Sequence, residues 1–155
     1  MEKTNVMRIL DQKKIQYTPY EYSADIVEGV VIAATLGEPS EKVFKTLVTV
    51  SNTGTHFVFC VPVAETLDLK KAAKSVGVKS IAMIKQKELL PLTGYIHGGC
   101  SPVGMKKPFR TVIHNTATNF DTFYVSAGRV GKQIEINPQT LAKLINAAFE
   151  DIIVE

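Results

Sequence analysis

Residues 43–63, Val-Phe-Lys-Thr-Leu-Val-Thr-Val-Ser-Asn-Thr-Gly-Thr-His-Phe-Val-Phe-Cys-Val-Pro-Val, decide the fold of this chain. Val43–Val50 and Thr55–Val63 are rich in β-branched and aromatic residues, which suit a pleated, packed surface. Ser51-Asn52-Thr53-Gly54 between them supplies the residues a tight reversal needs, so the stretch reads as a β-hairpin. The second strand is apolar around Cys60, which reads as core. In the first, Lys45 interrupts an apolar run. An ammonium there either points outward and discourages edge pairing, or anchors a phosphate or a developing oxyanion.

Outward from the hairpin, strands and helices intermix without strict βαβ alternation. Thr4 or Asn5 caps a first helix, with Val6, Ile9, Leu10 and Ile15 on one face. Tyr17–Tyr22 reads as a strand, and Val30–Leu36 as a short helix closed by Gly37. Asp68 caps a helix over Leu69–Val76 that stops at Gly77, Ser80–Ile84 returns to strand, and Lys87–Leu90 forms a further short helix. Arg110–His114, Thr122–Ser126 and Gln133–Ile136 are strands. Asn137 and Pro138 open a last helix with an apolar stripe of Leu141, Leu144, Ile145 and Ala148. The expected class is α+β, one domain over residues 1–155, with a mixed, curled, barrel-like sheet flanked by helices.

The 155 residues are 45% hydrophobic and 21% charged, enough for a core that buries roughly two-thirds of the unfolded surface without a cofactor. The net charge of +3 permits a phosphate backbone as partner without requiring one. The two cysteines, Cys60 and Cys100, have no CxxC spacing and fit the reducing cytoplasm. No stretch has the length of apolar sequence a membrane span needs.

The second informative segment is Gly98-Gly99-Cys100-Ser101-Pro102-Val103-Gly104-Met105-Lys106-Lys107. Its glycines allow close approach of the backbone to a ligand, and its N–H groups suit a carbonyl oxygen that is becoming tetrahedral. A tight connection between strands would use the same residues. Cys100 has no base near it in sequence, and Cys60 reads as core. His56, His97 and His114 lack metal-ligand spacing, although three separate strands can assemble a zinc site. Glu135 and Asp121 have no evident partner, and no nucleophile triad stands out.

With Val61-Pro62-Val63-Ala64, Leu67–Lys74, Thr93-Gly94-Tyr95 and Tyr124-Val125-Ser126-Ala127-Gly128-Arg129, these two segments stand in the order found in the YbaK/EbsC family of aminoacyl-tRNA deacylases, which the chain resembles over nearly its whole length. Relatives of that family include the editing domain inserted in bacterial prolyl-tRNA synthetases. The resemblance implies a deacylase that needs no cofactor and no metal. It hydrolyses a mischarged aminoacyl-tRNA, cysteinyl-tRNA(Pro), in trans, and a substrate group such as the ribose 2′-hydroxyl or the thiol shares the work. The other readings are a non-catalytic RNA-binding module and a hydrolase of a small aminoacyl ester.

The resemblance further implies catalytic roles for Lys45, Gly99, Ser101 and Ser126. It implies substrate contacts from Tyr22, Thr46, Gly98, Cys100, Pro102, Gly104, Gly128 and Gln133. The tRNA acceptor end is the implied ligand and prolyl-tRNA synthetase a partner. Lys70, Lys71, Lys74, Lys106 and Lys107 are candidate phosphate contacts. Three positions depart from the family pattern: Ala127 replaces a glycine, Gln133 an aspartate and Glu28 an aromatic residue.

Overall fold

A computed structural model describes residues 2–155. The hairpin forms as read: β2 (Phe44–Ser51) pairs antiparallel with β3 (His56–Pro62), Lys45 opposite Val61 and Thr46 opposite Cys60. Around it, β4 (Ile81–Met83), β5 (Arg110–His114) and β8 (Ala148–Glu150) complete a five-stranded mixed sheet in the order β4-β2-β3-β5-β8. A second, antiparallel sheet has the order β1-β7-β6, from Thr18–Glu21, Lys132–Ile136 and Phe123–Ser126.

The expected single curled sheet is therefore two sheets. They touch at one parallel bridge, Val43 to Tyr124, and do not close into a barrel. The α+β class and the mixed pairing hold, since β3 and β5 run parallel while β2 and β3 run antiparallel.

Both faces of β3 are covered, which explains its unbroken apolar run. Val58 and Cys60 face the main core, where the two sheets meet beneath α1 (Asn5–Gln12) and α5 (Pro138–Ile145). There Phe44 and Phe123 pack edge to face at 5.0 Å between ring centroids, a geometry worth about 1 kcal/mol beyond area burial. Phe57, Phe59 and Val61 face a second core under α3 (Leu69–Val76). The helix caps follow the sequence: Thr4 Oγ1 accepts from the Met7 N–H, and Asp68 accepts from those of Lys70 and Lys71. Gly37 and Gly77 end α2 (Gly29–Leu36) and α3 with positive φ.

Two readings are corrected here. The apolar stripe of α5 does not reach Ala148, because Asn146 turns left-handed at φ 54° and ends the helix; Ala148 lies in β8 opposite Val112. Glu135 does have partners, since its carboxylate accepts from the Tyr20 hydroxyl at 2.9 Å and from Thr122 Oγ1 at 2.5 Å. Those bonds hold its pKa below the usual carboxylate range, Thr122 contributing most.

Candidate active site

The pairing of β2 is incomplete. Strand β4 covers only Thr49–Ser51, so the first half of β2 has an open edge. Val48 turns its carbonyl toward the β4 side, where it accepts from the Ile84 N–H, whereas Val43 gives its carbonyl to Val63 on the β3 side. Backbone direction alternates along a strand, so Thr46 turns its N–H and C=O to the open edge. A cavity of about 430 Å³ lies there. Its walls are β2, the start of α2, the Gly98–Cys100 turn, and the facing ends of β6 and β7.

Lys45 lines this cavity half-buried, and none of the described residues places a carboxylate within 4 Å of its ammonium. Burial lowers its pKa from 10.5, an effect that the more distant charge of Glu65 partly opposes. An unpaired, partly desolvated ammonium is a strong site for an anion. Thr46 contributes backbone, because its Oγ1 is turned toward Cys60 Sγ, 3.8 Å away.

Across the cavity, Ser126 and Gln133 are direct partners in the β6–β7 ladder, so their side chains share a face. Ser126 Oγ accepts the Gly128 N–H at 3.2 Å, which leaves its own proton free to donate. Gln133 is 4% exposed; its Nε2 donates to the Tyr22 hydroxyl at 3.4 Å, and its Oε1 has no partner among the described residues. Tyr22 thus reaches the site through Gln133, and its backbone is held by the Gly131 carbonyl at 2.9 Å. Gln133 and Ile134 point oppositely, as alternation demands, but both are buried: Ile134 is in the main core and Gln133 lines the cavity.

The glycine loop divides its residues. Gly98, at φ 87°, and Cys100 line the cavity. Gly99 does not; its N–H is engaged by the Ile96 carbonyl at 3.0 Å, and a Cβ there would stand 2.9 Å from the Val130 nitrogen. It fits the loop against Arg129–Val130 rather than facing a substrate. Ser101 and Pro102 are buried behind the wall, and Ser101 Oγ accepts from the Val103 N–H at 3.2 Å, closing a turn. Gly104 and Gly128 line a different cleft. Ala127 is fully buried in the main core, so this departure from the family pattern stays away from the cavity.

Cys100 is buried, and that burial pushes its thiol up to about 12. Cys100→Ser is accordingly expected to keep wild-type turnover within about threefold, and iodoacetamide not to inactivate the protein. Loss of activity in the variant, or an acyl group found on Cys100, would reverse this reading. The three histidines lie apart: His56 beside Phe109, His97 at the cavity, and His114 buried with its Nδ1 accepting from the Ile152 N–H at 3.2 Å. No group of three or more metal-binding side chains occurs among the described residues. Lys71 is taken by Asp151 at 3.0 Å and the Ile153 carbonyl at 2.9 Å, and α3, with Lys70 and Lys74, stands away from the cavity.

The cavity also has an apolar wall that no sequence motif marked: Val27, Val30 and Ile32 at α2 and Leu89 at the start of α4 (Leu89–Thr93). Glu28, exposed and without a capping bond to α2, adds a carboxylate. An unpaired ammonium, a hydroxyl with a free proton, an orphaned carbonyl oxygen and one apolar wall suit a small acyl group carrying a polar end.

The family model for the aminoacyl-tRNA editing domain matches residues 25–144, which contain all of these elements except Tyr22. The chain belongs to the aminoacyl-tRNA editing family. It is 43% identical over 153 residues to a proposed Cys-tRNA(Pro)/Cys-tRNA(Cys) deacylase, EbsC, of Enterococcus faecalis, covering 97% of this chain and 93% of that one. Among solved structures it is similar to a proposed trans-editing enzyme for prolyl tRNA synthetase, with TM-score 0.85, 22% identity and full coverage of both chains. It is also similar to the hypothetical protein APE2540, with TM-score 0.90 and 20% identity over 97% of this chain and all of that one. At those identities the structures support the editing-domain fold alone. No helix among the described residues is long and apolar enough to cross a membrane.

Proposed function

We propose that this chain is a trans-acting deacylase that hydrolyses the ester of a mischarged aminoacyl-tRNA, cysteinyl-tRNA(Pro) foremost, in the cytoplasm. The observation that carries the reading is the unpaired Lys45 ammonium at the open edge of β2, facing a small cavity with polar groups on its far wall. Water adds to the ester carbonyl, the bond from carbonyl carbon to ribose oxygen breaks, and the amino acid leaves as the tRNA keeps its terminal hydroxyl. The charge that develops on the carbonyl oxygen is what a fixed cation and backbone N–H groups stabilise.

Lys45 is the cation, and the backbone N–H of Thr46 at the open edge is the donor beside it. Gly98, rather than Gly99, brings the loop backbone to the cavity. The ribose ester is already activated by neighbouring hydroxyl and ammonium groups, so positioning and charge stabilisation suffice without a nucleophile triad. Ser126, Gln133 and Tyr22 hold the aminoacyl end. Prolyl-tRNA synthetase fits as a partner that supplies selection of the tRNA, because a chain of 155 residues offers little surface for it.

The test is turnover of a panel of aminoacyl-tRNAs, with cysteinyl-tRNA(Pro), alanyl-tRNA(Pro) and correctly charged prolyl-tRNA(Pro) in parallel with a small cysteinyl ester. Release of the mischarged amino acids and sparing of prolyl-tRNA(Pro) is the expected result. Tight tRNA binding without turnover would make the chain a binding module, and turnover of the ester alone a small-ester hydrolase.

A further inference from the structure

The two loops that wall the cavity also wall a second cleft on their other side. Gly98 and Cys100 face the cavity while Gly104, in the same loop, faces the cleft; Ser126 faces the cavity while Gly128 and Arg129 face the cleft. Two residues of chain span at most about 7 Å, so the walls at Ser126 and Gly128 are no farther apart than that. The cleft has a volume of about 350 Å³, and three cations, Arg8, Lys106 and Arg129, stand around it with no carboxylate among its lining residues. The side chain of Lys106 lies over Gly94, where a Cβ would meet its Cγ at 3.5 Å, so it follows the wall instead of extending away.

Among the described residues Arg8 and Lys106 have no ion pair, and Arg129 has one exposed partner, Glu2 at 3.3 Å. Another cleft, beside Pro62 and Thr116, is lined by Glu41 and Glu65 and by no cation. Two glycines at positive φ let the backbone pack closely against the floor of the basic cleft, because a Cβ on Gly104 would stand 2.9 Å from the Tyr95 hydroxyl oxygen and one on Gly128 3.0 Å from Val6.

From this placement we infer that the Arg8–Lys106–Arg129 cleft binds the phosphate backbone of the RNA strand whose aminoacylated end occupies the cavity. The inference rests on the proposed function for the direction of the strand. Three cations on one side of a partition and a single cation on the other divide the labour: the cleft holds the backbone, and Lys45 serves the reacting ester. Phosphate contacts fix position without reading sequence, which fits a domain that has little surface for choosing a tRNA.

The experiment uses the full chain with Arg8→Gln, Lys106→Gln and Arg129→Gln combined; all three residues are exposed, and a thermal melt checks the fold. KM for aminoacyl-tRNA is expected to rise about tenfold at unchanged kcat, with hydrolysis of a small aminoacyl ester, which needs the cavity alone, unaltered. The slope of log affinity against log salt for uncharged tRNA should shrink by about 2 to 3, because each phosphate that the protein no longer neutralises takes about 0.7–0.9 from it. An unchanged slope and KM would overturn the inference, as would a parallel fall in ester turnover. Displacement of tRNA by millimolar inorganic phosphate at constant ionic strength would also overturn it, assigning the cleft to free phosphate. Binding of uncharged tRNA is read without catalysis, so a wild-type protein that binds but never turns over would fail the proposed function and leave the cleft supported.

Discussion

Lys45→Ala is expected to lower kcat/KM for aminoacyl-tRNA by a factor of about 10² to 10³, the range lost when one preorganised charge-stabilising donor is removed from an acyl-transfer site. The loss should fall on kcat, because the charge that Lys45 answers develops only in the transition state. Lys45→Arg should rescue poorly, since the planar guanidinium cannot take the place of a compact ammonium in the cavity. The wild-type rate should fall at alkaline pH, as pH rises through a Lys45 pKa that burial has already lowered from 10.5. Stability moves the other way. The unfolded chain holds that proton more tightly than the folded one, so this group destabilises the fold below its folded pKa, and stability rises between the folded and the unfolded value. Lys45→Ala should therefore melt no lower than wild type at neutral pH. A folded variant with wild-type activity would remove Lys45 from the chemistry.

The regular elements were legible because each carries a local cause. The hairpin has its turn residues and two β-branched runs, α3 has Asp68 at one end and Gly77 at the other, and α5 has Asn137-Pro138. The division into two sheets was not legible. It depends on a single bridge between Val43 and Tyr124, residues 81 positions apart, and no periodicity records such a pairing.

The site followed the same rule. Lys45, Ser126 and Gln133 stand on strands, where alternation constrains the side of the sheet that each side chain takes, and all three line the cavity. The glycine loop has no period, so composition could not separate Gly98, on the cavity, from Gly99, whose N–H closes the turn, or from Gly104, on the other cleft. Val27, Val30 and Leu89 were missed because an exposed or half-buried apolar residue in or just before a short helix looks like any other until the opposite wall is known.

Substrate choice should turn on Gln133, in a way that one substitution series can isolate. Its orphaned Oε1 and the free Ser126 proton place an acceptor and a donor side by side at the buried wall. A side chain ending in O–H or S–H answers both groups, whereas a methyl group answers neither and shuts the buried carbonyl oxygen away from water. Leaving such an acceptor unpaired costs about 1–3 kcal/mol, roughly a 10- to 100-fold preference for seryl over alanyl substrate. The cysteinyl preference from the same source should be smaller, since S–H is the weaker donor. Gln133→Leu is expected to erase most of the seryl-to-alanyl ratio while sparing alanyl turnover, because it removes the acceptor and keeps the volume. Gln133→Asp should instead change the ratios by a factor on the order of 10, since a carboxylate accepts more strongly and also attracts the α-ammonium. If Gln133→Leu leaves every ratio as it was, the amide does not touch the substrate side chain. The aminoacyl group would then lie against the α2 wall, where Val27 and Val30 distinguish side chains by size alone.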